Sequence, residues 1–403
     1  MDVMLYKKPE SDKKNYGTSD LLVVSHLRWN FVFQRPQHLM SRFANRRRVF
    51  FLEEPIFEHI DKPELRTTSC PSGVKILVPH LPFEYSPDSL EIFQAQALEE
   101  FMTAEEIEDY TLWYYTPMAL PFTRHLQPKH IIYDCMDELS LFKGAPRALI
   151  DNEAELMVKA DLIFTGGHTL YEAKKHLHDN IHPFPSSIDA SHFGKARQKL
   201  ADPIDQRNIQ GLRVGFFGVI DERMDLQLLE GAARLRPEWQ WIMLGPIVKI
   251  DPAHLPKRDN IHYLGNKQYK ELPDYIAGWD VAMMPFARNE STRFISPTKT
   301  PEYLAAGRPV ISTSIRDVIN PYAVEKLVRI ADTPRDFVLA AEGALQDRLD
   351  PEWLKRVDRF LQGKSWDETW ARMASLEVKL DRAETKANFA SWGGMAQPAA
   401  ARL

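Results

Sequence analysis

One stretch, residues 286–313, combines residue types that can hold phosphate with one that can hold a sugar diol. It reads FARNESTRFISPTKTPEYLAAGRPVIST. Arg293, Thr298 and Lys299 can donate hydrogen bonds to phosphate oxygens. Glu302 follows Lys299 by three positions, one helical turn on the same face, and its carboxylate can accept hydrogen bonds from a diol. Phosphate donors beside a diol acceptor predict a nucleotide site.

The elements around this stretch are expected to aim these side chains at a ligand. A buried strand is predicted at 280–286, a short helix at PEYLAAG, and a second strand at VIST. Thr300 fits the N-cap of the helix and Pro301 its first position. A helix N-terminus presents unpaired N–H groups and favours anions. The alternative is a capped helix whose charges are only solvated.

The same letters carry a family resemblance. EYLAAGRPVIST resembles the nucleotide-sugar-binding segment of GT-B fold glycosyltransferases, and RFISPTKTPEYLAAGRPV resembles their bacterial family 1 and 4 type branch, which acts in polysaccharide and cell-envelope glycan assembly. The resemblance implies that Glu302 holds the nucleotide ribose and that basic residues before it reach the diphosphate. Phe294 departs from it, since many retaining members carry a second Glu there. The implied donor-binding residues are Gly218, Arg223, Arg293, Ser296, Thr298, Lys299 and Glu302.

Arg223 enters that set through a second strand-to-loop junction. LRVGFFG (212–218) reads as a strand, and Arg223 follows Gly218 by five positions. The resemblance places a basic residue here on the donor diphosphate, which a planar guanidinium can bind through two hydrogen bonds. The alternative is a surface pair with a neighbouring acid.

Acidic residues end another predicted strand, in HIIYDCMDELSLF (130–142). Ligands of open parallel sheets bind beyond the carboxyl ends of the strands. A partly buried carboxylate there could take the proton of an acceptor hydroxyl. We predict Asp137 as this base, with Asp134 and Glu138 beside the acceptor; the alternative is that Asp134 or Asp137 caps the following turn. Many relatives carry His at the position of Met136.

The loop after the first strand, DLLVVS (20–25), adds His26, Arg28 and Trp29 to the predicted acceptor side. The alternative is that Trp29 covers the core and Arg28 is a surface charge. The helix that follows is expected to start near Arg35, and Pro55–Gly73 is expected to be a loop.

Alternating strand and helix patterns predict an α/β chain with parallel sheets. The resemblance implies a GT-B arrangement: two doubly wound, Rossmann-like domains facing a cleft, with the last long helix crossing back to the first domain. The expected acceptor-binding domain covers 18–200 plus the returning helix 365–383. The nucleotide-sugar domain covers 205–362, and 384–403 is expected to be a disordered tail.

The composition limits which kinds of partner and which compartment the protein is expected to have. The net charge is −5 over 403 residues, which gives no basic signature of nucleic-acid binding. Cys70 and Cys135 lack zinc-type spacing and favour a reducing compartment, with a disulfide as the open alternative. The N-terminus has no signal-peptide pattern, and no apolar run reaches the roughly 20 residues that span a bilayer. We therefore expect a cytoplasmic protein. Arg46-Arg47-Arg48 either complements a helix end or contacts an anionic membrane surface.

The expected activity is transfer of a sugar from a nucleotide-sugar, with UDP the first choice of carrier, to a glycan or lipid-linked acceptor. No metal or cofactor is expected, because no histidine or cysteine pattern of a metal site occurs. Two alternatives stay open: a GT-B-like nucleotide-sugar epimerase, and a catalytically inactive GT-B domain that only binds glycan or protein.

Overall fold

The computed structural model describes residues 19–393, without the side chains of 87–88 and 382–393. The chain forms two compact units. Unit 1 comprises the chain up to Asp134, Asn152–Ile163, and the chain from Asp367 onward. Unit 2 comprises Cys135–Asp151 and Phe164–Trp366. The predicted domain boundary near 200–205 stays a prediction.

The first sheet has the strand order β3-β5-β2-β1-β6-β7-β8-β9, with β4 paired to β5. Strands β1, β2 and β6 are buried along nearly their whole length, as expected for a parallel sheet covered on both faces. The pairs of β1 with β2 and with β6 are parallel, whereas β4 is antiparallel to β5. The strands are β1 (Asp20–Ser25), β2 (Val49–Glu53), β3 (Ile56–Glu58), β4 (Glu64–Ser69), β5 (Val74–Pro82), β6 (Tyr110–Tyr114), β7 (His130–Cys135), β8 (Leu162–Thr165) and β9 (Ile181–Pro183).

Six α-helices lie in the first half of the chain as far as the structure describes it. Pro36 falls in the first turn of α1, where a missing N–H has no cost, and the helix starts at Arg35 as predicted. The helices are α1 (Arg35–Phe43), α2 (Pro87–Ala104), α3 (Leu120–Thr123), α4 (Ala148–Lys159), α5 (His168–Lys174) and α6 (Ala190–Phe193).

The second sheet is parallel throughout, in the order β12-β11-β10-β13-β14-β15. Trp241, Trp279 and Tyr303 are fully buried against it. Because the order reverses between β10 and β13, the loops after these two strands flank a topological switch point, where ligands of such sheets bind. The strands are β10 (Arg213–Phe217), β11 (Gln240–Leu244), β12 (Ile261–Gly265), β13 (Val281–Met284), β14 (Val310–Ser312) and β15 (Val328–Ile330).

Seven helices complete the described chain, and the last, α13, lies in unit 1 from Asp367 onward. Glu377 on α13 makes two hydrogen bonds with the buried Arg47 guanidinium, at 2.7 and 2.8 Å, and accepts a third from Thr111 Oγ1 at 2.9 Å. The helices are α7 (Leu226–Leu235), α8 (Leu272–Ala277), α9 (Lys299–Ala305), α10 (Arg316–Val318), α11 (Pro334–Leu349), α12 (Pro351–Leu361) and α13 (Trp366–Gly393).

Two expectations about elements differ from the structure. The predicted loop Pro55–Gly73 contains β3 and β4; β4 is exposed along most of its length, so it lacks the apolar run that marks a buried strand. Helix α13 continues to Gly393, into the segment predicted as a disordered tail. The rest of that prediction, 394–403, lies outside the described residues.

Candidate functional site

The glycine that follows β10 leaves space for the side chain of Lys299. Gly218 has φ +138°, a conformation that side chains disfavour. The Lys299 side chain lies across this glycine, where an added Cβ would overlap Lys299 Cε. Lys299 Nζ is 5.7 Å from the centroid of the Phe216 ring. The bare backbone at Gly218 therefore makes room for a cation at the switch point.

Glu302 stands one turn further along α9, with 6% of its surface exposed. Within the described residues, its Oε2 atom has no hydrogen-bond partner. Burial raises the pKa of the Glu302 carboxyl to about 8, and the nearby charge of Lys299 opposes the rise. Burial likewise lowers the pKa of Lys299, against the effect of Glu302. A buried polar atom without a partner is costly, so this carboxyl is suited to hydroxyl groups of a ligand.

Arg223 is held by an acid from its own loop. Asp221 accepts hydrogen bonds from Arg223 Nε at 3.1 Å and from Nη2 at 2.6 Å, and also from the Arg223 backbone N–H. The guanidinium lies 5.4 Å from the centroid of the Phe142 ring, on which Lys249 also sits, at 5.6 Å. Arg223 therefore pairs with a neighbouring acid, but this acid is buried and lies in the same loop rather than on a helix surface, and the pairing fixes the orientation of the guanidinium.

Helix α9 starts two residues earlier than predicted. Thr298 is its N-cap residue and makes no side-chain capping bond, so the prediction of Thr300 as N-cap is wrong. Thr300 lies inside the helix and is fully buried, and its hydroxyl donates to Met284 Sδ at 3.4 Å rather than accepting a free N–H at the helix start. The helix is anchored to β10 by Tyr303, whose hydroxyl accepts the Phe217 N–H at 2.9 Å.

The three predicted acids have different surroundings. Asp137 is half-buried, and its charge acts on both Arg223 and Lys299. Glu138 is bound by Lys174 Nζ at 2.7 Å and by Ser140 Oγ at 2.6 Å. Asp134 is fully buried; Arg35 Nε and Nη2 donate to its two oxygens at 2.9 and 2.8 Å. Of the three, Asp137 is the one whose charge acts on cations of the donor set.

The residues after β1 are tied to the end of β2. Trp29 is buried, its N–H donates to Glu53 Oε1 at 2.8 Å, and its indole N–H donates to Cys70 Sγ at 3.3 Å. Arg28 pairs with Glu53 at 3.2 Å and donates to the Pro55 carbonyl at 2.8 Å. His26 is half-buried. Trp29 is therefore a core residue, as its alternative stated, and Arg28 is an ion-paired one.

Arg293 and Ser296 differ from the other predicted donor residues. Arg293 has 63% of its side chain exposed and pairs with Glu290 at 3.4 Å. Ser296 packs against the glycine that precedes α5, Gly167, where an added Cβ would approach Ser296 Cβ to 2.7 Å. The structure thus collects Gly218, Arg223, Lys299 and Glu302 near β10 and places Arg293 at an exposed edge.

Two structural acids went unpredicted. Asp221, which orients Arg223, could have been found as the acid two positions before a candidate phosphate ligand. Asp317 is buried and accepts the N–H groups of His168 at 2.9 Å and Thr169 at 3.0 Å, so it caps α5 from a distant part of the sequence. Nothing local in the sequence signals that contact.

Within residues 19–393, no group of three or more His, Cys, Asp or Glu side chains is arranged to hold a metal ion. Cys70 and Cys135 are both free thiols. A search of the described helices found none long and apolar enough to cross a bilayer. Arg47 and Arg48 are engaged with Glu377 and Asp20, so two of the three consecutive arginines serve packing within unit 1.

Sequence comparison finds relatives of the second half and of most of the chain. Residues 211–347 match the profile of the family described as glycosyl transferases group 1. A Bacillus subtilis (strain 168) protein, TuaH, named as a teichuronic acid biosynthesis glycosyltransferase, is 25% identical over 276 residues, which cover 64% of this chain and 68% of TuaH.

Comparison of structures finds similar folds at low identity. Sucrose-phosphate synthase from Thermosynechococcus elongatus has a TM-score of 0.65 at 14% identity, covering 91% of this chain and 100% of that one. Anabaena HepE, in complex with UDP and glucose, has a TM-score of 0.56 at 12% identity, covering 91% and 98%. The Escherichia coli trehalose-6-phosphate structure bound with UDP-2-fluoro glucose has a TM-score of 0.57 at 13% identity, covering 94% and 100%. The predicted GT-B fold is confirmed by these likenesses.

Proposed function

We propose that this chain, a nucleotide-sugar-dependent glycosyltransferase of the GT-B fold with a group 1 domain at residues 211–347, takes its sugar from a UDP-sugar. The acceptor is a glycan or a lipid-linked glycan of bacterial envelope polysaccharide synthesis. Two neighbours bound to UDP or a UDP-sugar support the choice of carrier, and TuaH supports the choice of pathway class.

The observation that carries the nucleotide site is the Glu302 carboxyl. It is buried, its Oε2 lacks a partner in the described residues, and it stands at the switch point of a parallel sheet. A ribose diol offers two hydroxyl donors to such a group and would remove the cost of its isolation. The resemblance assigns the same role to this residue.

The neighbouring cations are proposed to bind the diphosphate. Negative charge develops on the leaving nucleoside diphosphate as the glycosidic bond breaks, and fixed cations in a poorly hydrated site stabilise it. One such cation is Lys299, which lies over Gly218, and the other is Arg223, which Asp221 orients. Arg293, Ser296 and Thr298 complete the proposed donor set from the same loop.

Asp137 is the proposed base. It is half-buried and shares its surroundings with Arg223 and Lys299, so an acceptor hydroxyl bound beside it would lie near the donor. Asp134 and Glu138 are proposed to support the acceptor side through their ion pairs, since both are already engaged. His26 and Arg28 complete this side of the proposal, with the buried Trp29 positioning the loop that carries them.

The nucleotide assignment is tested by titrating UDP into the full chain by calorimetry. At pH 9, where the Glu302 carboxyl is ionised, we expect Glu302→Gln to weaken UDP binding about tenfold or more, since hydrogen bonds to a charged acceptor contribute about 1.5–3 kcal/mol. Glu325→Gln, at an exposed site, is the matched control and should bind like the wild type. Equal affinities for all three proteins would refute the ribose role.

The base is tested by assaying transfer with a donor panel and mass spectrometry of the products. Asp137→Asn should lower kcat by about 10²-fold or more, with UDP affinity little changed. Asp151→Asn, an exposed acid on α4, is the control. An epimerised donor formed without any acceptor would favour the epimerase alternative instead.

The proposed location is the cytoplasm with peripheral contact at the inner face of the membrane. Because Arg47 and Arg48 are ion-paired, this contact would depend less on the arginine run than its sequence implies. Co-sedimentation with anionic and neutral vesicles tests it: equal recovery in the supernatant with both would exclude an electrostatic contact.

A further inference from the structure

A pocket in unit 2, separate from the residues around Gly218, lies where Arg293 is exposed. It encloses about 540 Å³, within the range of small-molecule sites. Its wall combines the loop after β13, the residues after β14 and one face of α5. Three guanidinium groups line it, those of Arg288, Arg293 and Arg316. We refer to it as the arginine pocket.

The charges around the arginine pocket leave one cation unpaired. Arg293 pairs with Glu290 at 3.4 Å, and Arg288 with Asp332 at 3.3 Å. The pocket's other acid, Glu172, pairs with Lys175 at 2.6 Å. The Arg316 guanidinium makes no ion pair and no hydrogen bond with any described residue.

The acid next to Arg316 in sequence does not neutralise it. The Asp317 carboxylate is buried and accepts the backbone N–H groups of His168 and Thr169 at the start of α5. Both exposed ion pairs of the other two arginines are of the kind that contributes little in water. An incoming anion could therefore replace Glu290 on Arg293 at small cost and also meet Arg316, while Asp332 stays bound to Ser314 at 2.8 Å.

The pocket also has an apolar side. Phe294 lines it, with Arg293 placed 5.2 Å from the centroid of the Phe294 ring. Ile315 and Ala173 add aliphatic surface. An aromatic face beside guanidinium groups fits a sugar ring that carries a negative group, because the C–H face of the ring packs on carbon and the anion meets the arginines.

The uncharged side chain of Phe294 also favours an anionic ligand. Many retaining relatives carry Glu here, and a carboxylate at this position would offset Arg293 and repel an anionic sugar. The aromatic ring leaves the positive character of the pocket intact.

We propose that the arginine pocket binds an acidic hexose unit of the sugar substrate, bearing either a carboxylate or a phosphate. The ligand's identity as substrate rests on the proposed function, because the pocket shares the 286–296 loop with the donor site. Recognition of the anion itself depends only on the pocket.

Ligand-observed saturation-transfer NMR on the full chain tests this with three probes: methyl glucuronide, glucose 6-phosphate and methyl glucoside, each with and without UDP. The two acidic sugars should bind and the neutral one should not, with binding that weakens as salt is raised. Binding of either acidic probe supports the pocket and tells which anion is preferred.

Arg316→Gln should weaken acidic-sugar binding about tenfold, the usual size of one charge-assisted hydrogen bond. The affinity of Arg316→Lys should lie between those of the wild type and Arg316→Gln, because lysine keeps the charge but cannot make the paired hydrogen bonds of a guanidinium. Arg234→Gln, an exposed cation on α7, is the matched control. Unchanged binding in Arg316→Gln, or equal binding of methyl glucoside, would overturn the proposal.

UDP titrations of the same variants separate the two hypotheses. Arg316→Gln should bind UDP like the wild type. If no protein binds UDP while the acidic sugars still depend on Arg316, the nucleotide proposal fails and the arginine pocket stands.

Discussion

At the residue scale, the raised pKa of Glu302 makes a prediction about stability. A carboxyl with a pKa of about 8 in the folded chain and about 4.5 in the unfolded one binds its proton more tightly when folded. Its contribution to stability is therefore complete below pH 4.5 and is lost as the pH rises toward 8, by at most about 1.4 kcal/mol per pH unit.

Thermal unfolding followed from pH 5 to pH 8 tests this as a difference between two proteins. The melting temperature of the wild type should fall relative to that of Glu302→Gln as the pH rises, because the amide does not titrate. Parallel curves would mean that the carboxyl is ionised throughout this range.

Asp221 gives a second prediction at this scale. Asp221→Asn keeps the shape of the loop but gives the Arg223 guanidinium a weaker partner, so the cation is less well oriented. UDP affinity, measured by calorimetry, should fall about fivefold to tenfold. Asp259→Asn, an exposed acid in the same unit, is the control. Full affinity in Asp221→Asn would show that Arg223 needs no positioning.

What could be predicted for single residues follows from sequence distance. Lys299 and Glu302 share one short helix, so their common face was readable from their spacing. Asp317 could not be predicted, because its partners, the backbone N–H groups of His168 and Thr169 and the Thr169 hydroxyl, lie about 150 positions upstream and give no local signal of the contact. Arg293 was placed with the phosphate ligands from its position in the loop, and its exposure was not visible in the sequence.

At the element scale, the turn after β10 is the sensitive point. In Gly218→Ala, the new methyl group would overlap Lys299 and would sit at a φ of +138°, which together should cost about 1–3 kcal/mol of stability. The lysine would be displaced, so UDP binding should fall as well. Gly194→Ala is the control, because an added Cβ there meets no atom within 4 Å and its φ is −58°. Calorimetry and thermal unfolding measure both effects, and a Gly218→Ala protein that behaves like this control would contradict the packing.

Helices and strands could be predicted where their burial produces a run of apolar residues in the sequence. Three strands of the second sheet, β10, β11 and β12, appear as short runs ended by Gly218, Gly245 and Gly265, so their positions could be predicted. Strand β4 pairs antiparallel at an edge and is mostly exposed, so it offered no such run. The start of α9 was misplaced because Thr-Pro is a common helix opening, whereas here the buried Thr300 lies inside the helix.

At the scale of the whole molecule, α13 is held to the rest of unit 1 by Glu377. Glu377→Ala would leave the buried Arg47 guanidinium without its counter-ion, a change that typically costs about 3–5 kcal/mol. Asp367→Asn, which breaks the solvent-exposed pair with Arg42, should cost less than about 1 kcal/mol. Chemical denaturation of both variants measures the contrast. Similar losses in the two would show that the buried pair has no special role.

The overall architecture was the most predictable level. Alternating strands and helices predicted parallel sheets, which the structure shows apart from the antiparallel strand β4, and the motif around Glu302 led to the correct fold. The extent of each compact unit was not readable, because contacts such as those of Phe142 with Arg223 and Lys249 join segments far apart in the chain.

The shared stacking of Arg223 and Lys249 on Phe142 has a practical consequence for laboratory work. A gene fragment started at the predicted domain boundary near residue 205 would encode both cations without the ring that they flank, and without Gly167 and the α5 amides that Asp317 binds. Such a product would expose unmatched charge and bare apolar surface. Isotope labelling or crystallisation of the second half should therefore begin from the intact polypeptide, cut by protease if at all.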